Sequence, residues 1–314
     1  MLFGEIAIHP DCLEPTIDRL VDLDSKFGFN RGALISNLPR RMWAEFKQKV
    51  VTELIEAGGL ESKVAEEILE RLEHAFVKFG RTDLNSQNWL VDINNLHAQV
   101  SFHTIVSKCG GENTCHYIQL NEKLQNLGDD KITPKVAEQF IGEVFPLIKV
   151  SKTISFIDPY ISIWKENDNW KSTYIHFFKC LFAKLAENGA RKVVEIHKED
   201  RTNQANNEHL TVEQQKLLFT EFLTEFCPEN VEVKVFWWDD NGTSAFHARH
   251  IISEIGAIKF DSGFPQPHDL DKRRQPVDMS VVQAPDSIKA LLAQFDPFDS
   301  EMHLVANITI NTLR

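Results

Sequence analysis

The residues TISFIDPY, at positions 153–160, open the part of the chain that decides its fold class. Two further apolar runs follow in the same half, KVVEIH at positions 192–197 and VEVKVFW at positions 231–237. Between them, apolar residues recur at helical spacing over residues 172–188 and 211–226. Strands that alternate with helices are typical of an α/β domain in which the strands run mostly parallel and helices cover the sheet.

Downstream of these runs, the pattern continues to the end of the chain. Further strands are predicted at residues 247–253, 256–261 and 303–310. We therefore expect residues 149–314 to form one α/β domain, with a mixed sheet flanked by helices.

Upstream, the pattern is helical. Apolar residues recur every three or four positions over residues 41–57 and 61–79, and glycines end both stretches. Residues 1–148 are therefore predicted to form a mainly α-helical N-terminal domain. The positions expected to be buried in it are Trp43, Val50, Leu54, Ile68, Leu72 and Phe76.

The composition limits the class of protein. The chain of 314 residues is 42% hydrophobic with a formal net charge of −12, so its bulk charge does not attract nucleic acid. Five cysteines without a repeating spacing favour reduced thiols. With no membrane-spanning run and no secretory signal at the N-terminus, a cytoplasmic location is expected.

Cofactor motifs do not occur in the sequence. Glycine-rich nucleotide loops of the Walker or Rossmann type are missing, which argues against a kinase, an ATPase or an NAD enzyme. His103, Cys109, Cys115 and His116 cluster in sequence, but their spacings match no common zinc pattern. We therefore predict no cofactor and no metal site.

A spaced set of polar residues between positions 247 and 263 carries the chemistry. His247 and Arg249 are separated by one residue, Glu254 follows after four more, and Asp261-Ser262-Gly263 follow after a further six. On a strand, side chains at i and i+2 share a face, so His247 and Arg249 can approach one phosphate together. An arginine fork binds phosphate oxygens in a bidentate manner.

This spacing resembles the His-x-Lys…Asp…Gly/Ser motif of the phospholipase D-like superfamily. This chain carries it in an altered form, with Arg249 and Glu254 at the Lys and Asp positions. It is most similar to the single-copy His-x-Arg branch, which includes bacterial relatives and the C-terminal domain of MIT-domain proteins. The string TISFIDPY also resembles the strand that opens the bacterial domains. The resemblance covers roughly residues 152–310.

The resemblance implies a phosphodiesterase, most plausibly a metal-independent nuclease, in a family that recurs in anti-phage defence. His247 would be the nucleophile, Arg249 and Ser262 would hold the phosphate oxygens, and Glu254 would orient a histidine. Active members use two such histidines, so a single motif implies a homodimer with paired sites.

Further phosphate-binding residues are expected around this motif. Asp158 ends a strand where α/β clefts open, although an Asp-Pro turn accounts for it equally well. Gly263 belongs to the motif itself. The basic triplet Lys272, Arg273 and Arg274 is the compact basic segment nearest to the motif in sequence, and a solvated loop is its alternative reading.

A catalytically inactive binding module is the alternative function. The single motif copy, Arg249, Glu254 and the negative charge favour a domain that keeps the pocket and serves as a subunit or sensor of a larger protein complex. Glu195 and His197 share a strand face and are read as a supporting pair or as solvent-facing residues. Trp237 and Trp238 are expected to be one core residue and one rim residue.

Overall fold

The computed structural model divides the chain into two compact units, Met1–Asp130 and Lys131–Arg314. Each unit is built around its own β-sheet. The structure describes residues 2–56, 58–77, 83–84, 86–100, 102–108, 114–125, 127, 133–134, 136–201, 210–240, 246, 248–261, 277–282 and 285–311.

A parallel sheet organises the first unit. Its strands are β1 (Gly4–Ile8), β2 (Ala33–Ser36), β3 (Phe76–Val77), β4 (Thr104–Val106) and β5 (Thr114–Cys115). They lie in the order β3-β2-β1-β4-β5, and every neighbouring pair is parallel. Parallel sheets are normally covered on both faces, and this one follows the rule.

Helices cover both faces of this parallel sheet. Within the described residues they are α1 (Ile17–Lys26), α2 (Arg40–Val50), α3 (Leu60–Ala75), α4 (Trp89–Val100) and α5 (Leu120–Leu124), and α2 continues into a π-helical turn, Val51–Ile55. Ile6 and Ile8 of β1 lie in the larger core with residues of α1, α2 and α3. Ala7, on the other face, lies in a core cluster with Trp89 and Ile93 of α4.

The prediction for this region is right about the helices and wrong about the sheet. Trp43, Val50, Ile68, Leu72 and Phe76 are buried as predicted, and Leu54 is half-buried. The strands have two to five residues, and those of β1, β2 and β4 are buried at nearly every position. A strand buried on both faces lacks polar alternation, so its sequence gives no period to detect. The unit is therefore α/β: its helices agree with the predicted mainly helical domain, and its five-stranded sheet was not predicted.

Seven strands form one mixed sheet in the second unit. They are β6 (Thr153–Ile157), β9 (Lys192–Glu199), β10 (Val231–Asp239), β11 (Arg249–Ser253), β12 (Gly256–Phe260), β13 (Met279–Val281) and β14 (His303–Asn311), while β7 (Trp164–Glu166) and β8 (Asn169–Lys171) pair as a separate hairpin. The order across the sheet is β13-β12-β11-β6-β9-β10-β14. The first four strands predicted for this half therefore lie in one sheet, as expected.

The direction of the strands changes at both sides of this sheet. β6, β9 and β10 are mutually parallel, whereas β11, β12 and β13 on one side and β14 on the other are antiparallel to their neighbours. β11 begins at Arg249, two residues later than predicted. A mixed sheet with a parallel centre is the result.

The helices of the second unit, within the described residues, are α6 (Ala137–Val150), α7 (Thr173–Asn188), α8 (Val212–Phe226) and α9 (Pro285–Gln294). Phe140 of α6 packs edge-to-face against Phe177 of α7 and Phe260 of β12, with ring centroids 5.7 and 5.6 Å apart. Because α6 packs on this sheet, the boundary between the units falls at residues 130/131 and not at the predicted 148/149. Among the described residues, no helix combines the length and apolarity needed to span a bilayer.

Candidate functional site at the carboxyl edge of the parallel strands

Three parallel strands of the second unit end at one edge of the sheet. Asp158 follows β6 directly, β9 ends at Glu199 and β10 ends at Asp239. In α/β proteins, ligand clefts open outside the carboxyl ends of parallel strands. Site residues are therefore expected to gather along this edge.

Asp158 is the most deeply buried polar residue of this edge, with no exposed surface. Its Oδ1 accepts the backbone N–H of Tyr160 at 2.9 Å, and its Oδ2 accepts the hydroxyl of Tyr174 at 3.1 Å. Its own N–H donates to the carbonyl of His197 in β9, at 3.1 Å. Asp158 thus ends β6 in a fixed turn, and its carboxylate is held from two sides.

Burial controls the protonation of Asp158 and Tyr174. Burial raises the pKa of Asp158 above its ordinary value, while the Tyr160 N–H, the Arg249 charge and the Tyr174 hydroxyl act in the opposite direction. Burial and the neighbouring Asp158 carboxylate raise the pKa of Tyr174 well above its ordinary value. Tyr174 therefore keeps its proton and remains a hydrogen-bond donor to Asp158.

Arg249 meets Asp158 across two antiparallel strands. β11 pairs with β6 so that His250 lies opposite Ile157, which places Arg249 beside the end of β6. The Arg249 Nε lies 3.3 Å from Asp158 Oδ1, and its Nη1 donates to the Asp261 carbonyl at 2.7 Å. The side chain is 18% exposed. Two of the residues predicted from the sequence are therefore brought into direct contact.

Arg201 and Lys198 join the edge and were missed by the sequence reasoning. The Arg201 guanidinium lies 4.3 Å from the centre of the Tyr160 ring, and the Arg249 guanidinium lies 5.0 Å from the same centre. Lys198 is buried, and its ammonium donates to the Gln215 side chain at 2.8 Å. Their position at and just after the end of β9 was the available signal, as it was for Asp158 after β6.

A cavity of about 420 Å³ opens beside these cations. Tyr160, Trp164, Lys198, Arg201 and Gln215 are among the residues that line it. Burial lowers the pKa of Lys198 to about 8. The edge therefore combines two guanidinium groups, a titratable amine and an aromatic ring.

Glu254 lies away from this cluster, which corrects its predicted role. Its carboxylate accepts the backbone N–H groups of Lys152 and of Thr153, the latter at 3.2 Å, at the start of β6. β11 has five residues, so Glu254 lies roughly 16 Å from Arg249 along the strand. Because β11 is antiparallel to β6, the carboxyl end of β11 lies beside the amino end of β6. Glu254 fixes that end and does not act beside Arg249.

The remaining predicted site residues lie outside the described part of the structure. They are His247, Ser262, Gly263, Lys272, Arg273 and Arg274. Of the motif, the structure describes Arg249 and Glu254, and of the predicted surroundings it describes Asp158.

The opposite face of the sheet carries the Glu195–His197 pair. The two side chains share a face as predicted: Glu195 Oε2 lies 3.7 Å from His197 Nε2 and accepts the Ser155 hydroxyl at 2.9 Å. His197 is buried, its Nδ1 accepts the Trp238 indole N–H at 3.1 Å, and burial lowers its pKa. They line a separate cavity of about 530 Å³. The pair therefore lines this cavity together with apolar side chains such as Phe236 and Phe295, which favours the predicted supporting pair over solvent-facing residues.

Trp237 and Trp238 differ from the prediction. Both side chains are fully buried, on opposite faces of β10. Trp237 packs edge-to-face on Phe219 of α8, and Trp238 packs near Phe295. Both are therefore core residues, and neither lies at a rim.

The chain was compared with known proteins. No protein-family model matches it, and no curated protein matches it significantly.

Proposed function

We propose that Lys131–Arg314 is a phospholipase D-like domain that binds a phosphodiester at the carboxyl edge of its parallel strands and hydrolyses it without a metal ion. The observation that carries the proposal is the placement of two guanidinium groups, of Arg249 and Arg201, on one tyrosine ring at that edge. The proposed substrate class is nucleic acid.

The guanidinium groups of the site favour the binding of an anion with several oxygens. A guanidinium group offers parallel N–H donors that match the oxygens of a phosphate, and a protein fixes that match by holding the fork in place. Arg249 is held by Asp158 and by the Asp261 carbonyl. Arg201 is held less tightly, since its Nε lies 3.5 Å from a Glu199 carboxylate oxygen.

Bulk charge does not contribute to this proposal. Burial raises the pKa of Glu199 at the same edge, and the nearby carboxylates of Asp240 and Asp239 act in the same direction. Recognition at this edge therefore depends on the guanidinium groups of Arg249 and Arg201, because a chain with net charge −12 does not attract nucleic acid over long distances.

The proposed reaction uses the residue two positions before Arg249. His247 attacks phosphorus, a phospho-histidine bond forms, and the bond from phosphorus to the leaving oxygen breaks. The leaving oxygen takes a proton from the His247 of a paired second chain. Water, deprotonated by that second histidine, then hydrolyses the phospho-histidine. Arg249 and Ser262 stabilise the extra negative charge on the phosphoryl oxygens.

A binding module without turnover is the second candidate. It is favoured by the position of Glu254, whose carboxylate binds the backbone at the start of β6 instead of lying beside Arg249. In this case the same edge recognises a phosphodiester or another phosphate-bearing partner and holds it for a larger complex.

One experiment separates the two candidates. Purified protein is incubated with labelled single-stranded DNA, double-stranded DNA, RNA and a generic phosphodiester, each with and without EDTA. We expect cleavage of a nucleic acid that survives EDTA and is abolished in His247→Ala. Cleavage that requires Mg²⁺ and persists in His247→Ala contradicts the mechanism, and binding without cleavage supports the binding module.

A further inference from the structure

Three side chains of zinc-ligand type converge on the surface of the second unit, away from the strand edge. Glu138 lies in the first turn of α6, and His176 and Cys180 lie on α7. The His176 Nε2 lies 2.9 Å from Glu138 Oε1 and 3.6 Å from the Cys180 Sγ, which lies 3.8 Å from the same oxygen. Within the described ranges, this is the group of His, Cys and acidic side chains that could share one ion.

The fold itself produces this convergence. His176 and Cys180 are four residues apart on one helix, so their side chains lie on the same face one turn apart. The packing of Phe140 on Phe177 fixes α6 against α7, which holds the start of α6 beside that face. The three ligand atoms are therefore brought together by rigid helices, as a metal site requires.

The distances fit a tetrahedral ion. Zinc bonds are about 2.3 Å to sulfur, about 2.0–2.1 Å to imidazole nitrogen and about 2.0–2.2 Å to carboxylate oxygen. Tetrahedral angles then separate the ligand atoms by roughly 3.3–3.6 Å. The two separations from the Cys180 Sγ differ from these values by about 0.2 Å or less, and the Glu138–His176 separation is shorter by about 0.5 Å. Small side-chain rotations would complete the geometry.

We propose that Glu138, His176 and Cys180 form a Zn²⁺ site with water in the fourth position. A thiolate and a carboxylate together balance the charge of the ion, and a thiolate with an imidazole selects zinc over magnesium or calcium. The side chains of Glu138 and His176 are 55% and 32% exposed, so an ion can reach the site from solvent. This proposal is independent of the phosphodiester proposal, because none of these residues lies at the strand edge.

Metal binding by the full chain tests the site. The protein is treated with a chelator, desalted and titrated with Zn²⁺ by calorimetry, and with Co²⁺ while its absorption spectrum is recorded. We expect one Zn²⁺ per chain and, with Co²⁺, a thiolate charge-transfer band with the visible absorption of a four-coordinate ion. Mg²⁺ is expected to give no signal.

Matched variants assign the signal to these residues. Cys180→Ser and His176→Ala are expected to weaken Zn²⁺ binding at least tenfold and to abolish the charge-transfer band. Cys227→Ser is the control, because Cys227 is another half-buried cysteine, whose thiol donates to backbone carbonyls. Circular dichroism checks that each variant is folded. Equal Zn²⁺ affinity in the wild type and Cys180→Ser, or a Co²⁺ spectrum without the charge-transfer band, overturns the proposal.

Discussion

The Nε atom of Arg249 lies 3.3 Å from Oδ1 of Asp158, a carboxylate with no exposed surface. The pair joins the first residue of β11 to the residue that ends β6. It sets the position of the guanidinium group on which the proposed phosphate site depends.

The first prediction concerns the strength of this pair. In a double-mutant cycle with Asp158→Asn and Arg249→Met, we expect a coupling free energy of about 1–3 kcal/mol, because each single change removes the opposite charge from a group that is buried or half-buried. Urea denaturation measures it. The control is the exposed pair Lys184–Glu187, for which about 0.5 kcal/mol or less is expected. A coupling as small as that of the control would show that the pair does not fix Arg249.

The second prediction concerns Lys198 and pH. Burial lowers its pKa in the folded protein to about 8 from an ordinary value of 10.5. As pH falls between these values, the unfolded chain takes up the proton first, so the wild type loses stability relative to Lys198→Met. From about pH 10 to about pH 8, we expect the stability difference to shift by about 1–3 kcal/mol in favour of the variant.

Urea denaturation at several pH values measures this shift. Lys184→Met, which removes an exposed lysine from α7, is the control and is expected to show a constant difference from the wild type. A constant difference for Lys198→Met as well would mean that the Lys198 amine is not desolvated.

The third prediction concerns self-association. The proposed reaction needs two copies of His247 in one shared cleft, so the active protein is expected to be a homodimer. Light scattering after size-exclusion chromatography, at micromolar concentration, measures the mass directly. A strict monomer is incompatible with the proposed two-histidine reaction and leaves the binding module as the function.

The second half of the fold could be predicted from sequence because its pattern is regular. The strands β9 and β10 alternate with amphipathic helices, and Thr211 with Gln214 forms the capping box that starts α8. The sheet of the first unit could not be predicted, since its short strands are buried on both faces and show no alternation of apolar and polar residues.

Sequence-based prediction has the same limit for single residues of the site. Asp158 and Arg249 were identified separately, one from a strand end and the other from motif spacing, and their contact depends on the register of β11 against β6. The same register moves Glu254 to the far end of the strand. Arg201 lies in no motif, so only the tertiary structure places it on the Tyr160 ring.

The central claim is that a phosphodiester binds at this edge, and Arg201 tests it most cleanly because it does not contact the buried Asp158 in the way that Arg249 does. The control is Arg191→Ala, which removes an exposed arginine just before the opposite end of β9. Both changes remove one positive charge, so long-range attraction falls equally in the two variants.

Fluorescence anisotropy with a labelled single-stranded oligonucleotide, at low salt and in EDTA, provides the measurement. The account predicts that Arg201→Ala weakens binding about tenfold or more, a loss of roughly 1.4 kcal/mol, while Arg191→Ala stays within about twofold of the wild type. Equal affinity for the wild type and Arg201→Ala, or equal weakening in both variants, would contradict a phosphodiester site at the carboxyl edge of β6 and β9.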